Sequence, residues 1–231
     1  MNTRSLFVVF EGIDGSGKGT QIGEVERTIR GWNKYQDIVL TREPTWRAEE
    51  IRKRLETETD PLANGARMAE LYIGDCGEHW KEIRSDLERK RVVLCDRYAM
   101  STLAYQSTQG RTMFDLVSAH FTVNVGTPDM TFYLSLSPEE AAQRMAARGE
   151  AREKFENINF AIKLAGQYDF LFQESQKDGG ISKLLGHVVK IDAAQESKFV
   201  TVNITKHLEP VYRAILSNSN GSPEKFYMPL G

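Results

Sequence analysis

Five short runs in this chain are apolar almost without a break: LFVVF (6–10), DIVL (37–40), RVVLCD (91–96), TFYLSL (131–136) and HVVKID (187–192). Runs this short, rich in β-branched and aromatic residues, predict strands buried on both faces. Between them the apolar residues change period, and helical spacing is predicted over 20–31, 47–57, 66–90, 138–148, 153–176 and 197–216. In the longest of these, Ala69, Ile73, Cys76, Trp80, Ile83 and Leu87 step alternately by four and by three. That spacing draws one stripe along a helix and reads first as core. Strand and helix in alternation predict an α/β fold, a five-stranded parallel sheet with helices on both faces joined by right-handed crossovers. No repeat or low-complexity tract divides the chain, so 1–231 reads as a single domain. The polar stretch SNSNGSPEK (217–225) reads as the start of a flexible tail, with FYMPL behind it a candidate to dock back.

Composition narrows the partners. The chain has 231 residues, enough for one substantial core, with 40% hydrophobic residues, 27% charged residues and a formal net charge of −2. A balance this close to neutral argues against a polyanion such as nucleic acid as partner. No apolar run reaches membrane-spanning length, and Met1 to Ser5 lacks the order of a signal peptide, so no membrane partner is expected. Two isolated cysteines, Cys76 and Cys95, make neither a disulfide framework nor a zinc site, and a cytoplasmic location is the default expectation.

One stretch demands chemistry. EGIDGSGKGTQ (11–21) follows the first predicted strand and enters the first predicted helix. In that context Gly12, Gly15, Ser16, Gly17, Lys18, Gly19 and Thr20 read as a phosphate loop. Glycines let backbone N–H groups converge on an anion, the helix N-terminus adds positive potential, and the lysine reaches the terminal phosphates. A second feature supports it. In VVLCDRY (92–98) a strand ends in Asp96, suited to hold magnesium directly or through water, and Arg97 beside it offers a planar fork to a second phosphate.

With these residues placed, the chain resembles the thymidylate kinases. EGIDGSGKGTQ, TREP (41–44), DRYAMSTLAYQ (96–106), PDMTFYLSLSPEEA (128–141) and RMAARGEAREKFE (144–156) fall in that family's order and spacing over about 6–170. The resemblance implies a P-loop nucleoside monophosphate kinase that moves the γ-phosphoryl of ATP to dTMP with Mg2+, usually as a homodimer. By the same resemblance Lys18 and the loop amides hold the ATP phosphates, and Asp14 approaches the 3′-hydroxyl of the acceptor sugar. Arg97 binds the acceptor phosphate, with Arg42 nearby. Tyr72 stands where the family stacks a phenylalanine on thymine, and Thr102, Tyr105 and Gln106 line base and sugar. Arg148 and Arg152, on a mobile lid over about 144–156, would close on the transferring phosphate, a charge that Gly15 in the loop does not supply.

Two departures bear on this expectation. Gly19 takes the place of the hydroxyl most phosphate loops offer to magnesium, which leaves Thr20 or water to fill that role. Where the family reads FAADRAQH this chain has YIGDCGEH (72–79), so Cys76 replaces the arginine that would meet the thymine O4. Cys76 is expected to face either the pocket, as a smaller and more apolar wall, or the adjoining core. The change leaves another nucleoside monophosphate, or a deoxynucleoside, as the alternative acceptor. A GTPase is disfavoured because NKYQD (33–37) is one residue too long for a guanine reader and follows the first helix. A non-catalytic nucleotide binder is disfavoured by the basic residues in all three phosphate-facing segments.

Overall fold

In the computed structural model, residues 5–58, 60, 62, 64–149 and 158–217 are described. The five apolar runs are strands: β1 Leu6–Glu11, β2 Ile38–Arg42, β3 Val92–Asp96, β4 Met130–Ser135 and β5 Val188–Asp192. They form one parallel sheet in the order β2-β3-β1-β4-β5. Burial follows that order. Every residue of β1, at the centre, is buried, whereas β5 at one edge alternates and β2 at the other is partly open. The register pairs Phe10 with Asp96, and Asp96 with Arg42, so the carboxyl ends of β1, β3 and β2 come level on one rim. Ligands of open α/β sheets bind outside this rim.

The predicted helices form as α1 Lys18–Trp32, α2 Glu49–Thr57, α3 Gly65–Glu88, α6 Pro138–Ala147, α7 Ile158–Ser175 and α9 Ser197–Ser217, with ends shifted by a few residues. For α7, the predicted start at 153 lies outside the described residues. α1 and α9 pack together on one face of the sheet, while α3 and α7 cover the other. The α3 stripe behaves as expected: Ala69, Ile73, Cys76 and Ile83 are buried, with Trp80 and Leu87 packed at the core's margin. Fully burying one isoleucine of this stripe contributes about 1.5–3 kcal/mol.

Three further helices carry no stripe that the sequence reading resolved: α4 Ala99–Thr108, α5 Met113–Thr122 and α8 Gly180–Leu185. α4 is wedged between α3 and α7 and is buried nearly all round, so its apolar residues show no helical period. α5 did leave a signal, since the Thr112 hydroxyl accepts from the Asp115 N–H in a capping arrangement. α8 has only 6 residues, too few to show a period. No helix among the described residues is long and apolar enough to cross a membrane.

Candidate active site

The loop between β1 and α1 is built as its glycines suggested. Gly12, Gly15 and Gly17 all have positive φ, and Gly17 caps α1 in the left-handed region, which points consecutive amides into one concavity. Neighbours leave no room for side chains at two of these positions. A Cβ at Gly12 would lie 2.5 Å from the Leu134 carbonyl oxygen, and one at Gly15 would lie 2.7 Å from that of Ala141. The second contact seats the loop directly on α6. Gly15→Ala therefore combines left-handed strain with backbone overlap, and is expected to destabilise the fold by about 2–4 kcal/mol. Thermal unfolding should show Tm falling by roughly 4–16 °C; an unchanged Tm would mean that α6 does not rest on the loop.

Lys18 lies back across this concavity, its Nζ donating to the carbonyls of Gly12 and Ile13, each at 3.1 Å. Burial, helped by the Arg97 charge, pushes its pKa down to about 8 against the pull of Asp14, Asp96 and Glu11. Ser16 Oγ is buried in the same loop without a hydrogen-bond partner among the described residues. Backbone and lysine thus form a basic cradle with hydrogen-bonding capacity to spare.

Asp96 and Arg97 leave β3 beside it. Arg97 has φ +70, and its amide is held by the Phe10 carbonyl at 2.9 Å. A left-handed arginine costs about 1–2 kcal/mol, and here it swings the side chain across to the loop. Its Nη2 donates to Asp14 Oδ1 at 2.5 Å, and its Nη1 donates to Gly12 O, Ser101 Oγ and Tyr168 Oη at 3.1, 3.2 and 3.3 Å. Tyr105 Oη donates to the other Asp14 oxygen at 3.1 Å. Burial alone would raise the Asp14 carboxyl, but Arg97 and then Lys18 hold it below the usual carboxylate range.

Behind Arg97 stands Glu11, to which the sequence reading gave no role. It is fully buried and accepts from Tyr98 N, Ser101 N, Ser101 Oγ and Tyr168 Oη at 2.8, 3.1, 2.5 and 3.3 Å. Burial pushes its pKa up to about 7, against the lowering effects of Ser101 and Arg97.

A cleft of about 920 Å³ opens from Arg97 toward α2. Asp14, Arg42, Tyr72, Arg97, Thr102, Tyr105 and Gln106, all anticipated from the sequence, line it. Gln106 is fully buried, and neither of its amide atoms has a hydrogen-bond partner among the described residues. An unsatisfied buried amide is costly unless something completes it, so it marks a place for a polar ligand edge. The segment bearing Arg42 is tied to α3. Thr45 donates through N and Oγ1 to Asp75 at 2.7 and 2.5 Å, and His79 bridges Thr41 Oγ1 at 2.7 Å and Glu43 Oε1 at 3.0 Å. Trp46 and Arg52, which the sequence reading passed over, also line the cleft, and Trp46 is 76% exposed.

Cys76 does not line the cleft. It is fully buried within the core cluster, and burial together with the nearby Glu43 raises its thiol pKa well above the ordinary value. Of the two expected positions, the structure gives the core: Cys76 stays on the sheet-facing stripe with Ile73, while Tyr72 turns to the cleft. The pocket wall expected at Cys76 is therefore a correction.

The remaining anticipated residues are less gathered. Gly19 and Thr20 are both exposed in the first turn of α1, and a Cβ at Gly19 would meet nothing within 4 Å, so no steric demand keeps glycine there. Asp96 Oδ1 is buried with no protein partner among the described residues. Arg148 is exposed at the C-terminal end of α6, and Arg144 donates to the Ala193 carbonyl at 2.8 Å. Arg152, like the rest of 150–157, lies outside the described residues.

Comparison with known proteins gives this geometry a family. The sequence profile of the family described as thymidylate kinase matches residues 10–181. A thymidylate kinase of Ruegeria pomeroyi is 38% identical over 176 residues, covering 74% of this chain and 82% of that protein. One of Bacillus velezensis is 32% identical over 177 residues, 73% of this chain and 82% of its own. One of Bacillus pumilus is 29% identical over 220 residues, 91% of this chain and 93% of its own. Matched across the phosphate loop, the arginine turn and the cleft that joins them, the chain belongs to the thymidylate kinase family.

Proposed function

We propose that this chain transfers the γ-phosphoryl group of ATP to dTMP, giving dTDP. The observation that carries this reading is the junction at Arg97. One guanidinium touches the phosphate loop through Gly12 and Asp14 and also lines the cleft that Tyr72 and Gln106 share. A donor polyphosphate in the loop and an acceptor phosphate in the cleft would meet there end to end. Family membership and the names of the relatives support dTMP as the acceptor, and do not favour the other acceptors that Cys76 raised.

Phosphoryl transfer asks a protein for alignment and for charge, because the reacting group spreads negative charge over its oxygens. Lys18 leaves the Gly12 and Ile13 carbonyls to hold the donor's terminal phosphates together with the loop amides. Arg97 grips the acceptor phosphate, with Arg42 beside it, and Asp14 orients the sugar hydroxyl. Tyr72 covers the base, while Thr102, Tyr105 and Gln106 complete its polar edge. Arg148 and Arg152 bring charge from the lid segment and exclude water, which would otherwise intercept the phosphoryl group.

The residues present fit magnesium. It commonly keeps several waters and binds through one or two carboxylates plus substrate phosphates, and Asp96 offers a buried oxygen without a partner among the described residues. Asp96, with Thr20 or water in place of the missing hydroxyl at Gly19, would hold it. When bound, magnesium neutralises charge on the donor phosphates. The same reading takes the chain as one domain acting as a homodimer in the cytoplasm. Family resemblance supports the first two, and two buried free cysteines suit the third.

Turnover of dTMP, dUMP, dCMP and dAMP at saturating ATP tests the assignment. dTMP should exceed dUMP in kcat/KM by about 10- to 200-fold, the range one methyl group supports in a fitted pocket. A preference for any of the other three, or no turnover of dTMP, would overturn it.

A further inference from the structure

Glu11 is the last residue of β1 and directly precedes the Gly12 that opens the phosphate loop, yet among the described residues none of its side-chain partners belongs to that loop. Two are the amides of Tyr98 and Ser101, at the start of α4. The first turn of a helix leaves N–H groups without intrahelical acceptors, and the α4 cap residue, Tyr98, supplies no side-chain cap for them. A carboxylate from the neighbouring strand takes that place, with a charge the helix N-terminus favours. The other two partners are the hydroxyls of Ser101 and Tyr168, the same two on which Arg97 Nη1 rests. In its ionised form this carboxylate can only accept. It therefore draws the Ser101 hydroxyl hydrogen toward itself, at 2.5 Å, and turns that oxygen's lone pairs to the guanidinium.

We propose that Glu11 is a positioning residue for the acceptor phosphate: by capping α4 and polarising the Ser101 and Tyr168 hydroxyls, it fixes the Arg97 guanidinium at the mouth of the phosphate loop. One side chain then sets donor loop and acceptor helix against each other. The inference rests on the reading that Arg97 grips the acceptor. It goes beyond that reading by naming what aims the arginine.

Glu11→Gln keeps the shape and one accepting oxygen for the α4 amides, but presents N–H groups to the hydroxyls and reverses their polarity. Ser101→Ala keeps Glu11 and both capping amides, and removes the hydroxyl between Glu11 and Arg97. Steady-state kinetics on the full chain, with dTMP and ATP varied separately, should give an acceptor KM raised about ten- to a hundredfold in Glu11→Gln and about tenfold in Ser101→Ala. The ATP KM should stay within about twofold in both, since Lys18 and the loop amides are untouched. A purely structural role would instead lower Tm without separating the two KM values. Wild-type acceptor KM in both variants, or equal rises for both substrates, would overturn the proposal. A wild-type protein that does not phosphorylate dTMP would overturn the reading beneath it, and the unmutated control shows this before either variant is compared.

Discussion

Lys18→Ala is expected to lose about a hundred- to a thousandfold in kcat while keeping its fold. The fold should tolerate the change because Lys18 Nζ donates to the carbonyls of its own loop, and burial already works against its charge. Removing a buried cation with a depressed pKa relieves desolvation as much as it loses attraction. Catalysis should not tolerate it. Loss of one donor aimed at developing charge in a dry site costs about 3 to 4 kcal/mol, which is the size of the expected drop. A coupled assay of ADP release beside a thermal melt separates the two effects. Near-wild-type turnover with an unchanged Tm would mean that the loop does not hold the donor phosphates.

Arg97→Ala should lose a similar factor, located differently. Charge-assisted hydrogen bonds contribute about 1.5–3 kcal/mol each, and a guanidinium can give two to one phosphate. Their removal should lower kcat/KM for dTMP by about a hundred- to a thousandfold, with the larger part in the acceptor KM. The ATP KM should move little. Arg97→Lys restores charge without the planar fork and should recover only part of the loss. Asp14 would lose its main cationic partner, but its side chain is half exposed, so water can replace the guanidinium and the fold should hold. Equal acceptor KM values in Arg97→Ala and wild type would place the acceptor phosphate elsewhere.

The parallel sheet was legible because strands buried on both faces leave nearly unbroken apolar runs, and LFVVF and RVVLCD proved to be its centre. The phosphate loop was legible because its chemistry needs glycines at fixed offsets before a lysine. The cleft residues were legible only through resemblance, since Thr102, Tyr105 and Gln106 sit on α4, whose all-round burial erases its period. Glu11 and Tyr168 were not legible at all. They lie 157 residues apart, and only the packing of α7 beside α4 brings the phenol to the carboxylate. Cys76 shows another limit. Four positions along a helix leave two side chains near one another, yet Tyr72 meets the cleft and Cys76 the core.

The left-handed backbone at position 97 has a practical consequence for anyone engineering this enzyme. A screen that rewards heat tolerance alone would favour glycine or asparagine there, because either relieves the torsional penalty. Under the acceptor-binding role proposed for Arg97, such winners would accumulate as robust but inactive clones. Libraries built for thermostability should therefore keep that codon invariant, or couple every round of heating to a selection for nucleotide turnover.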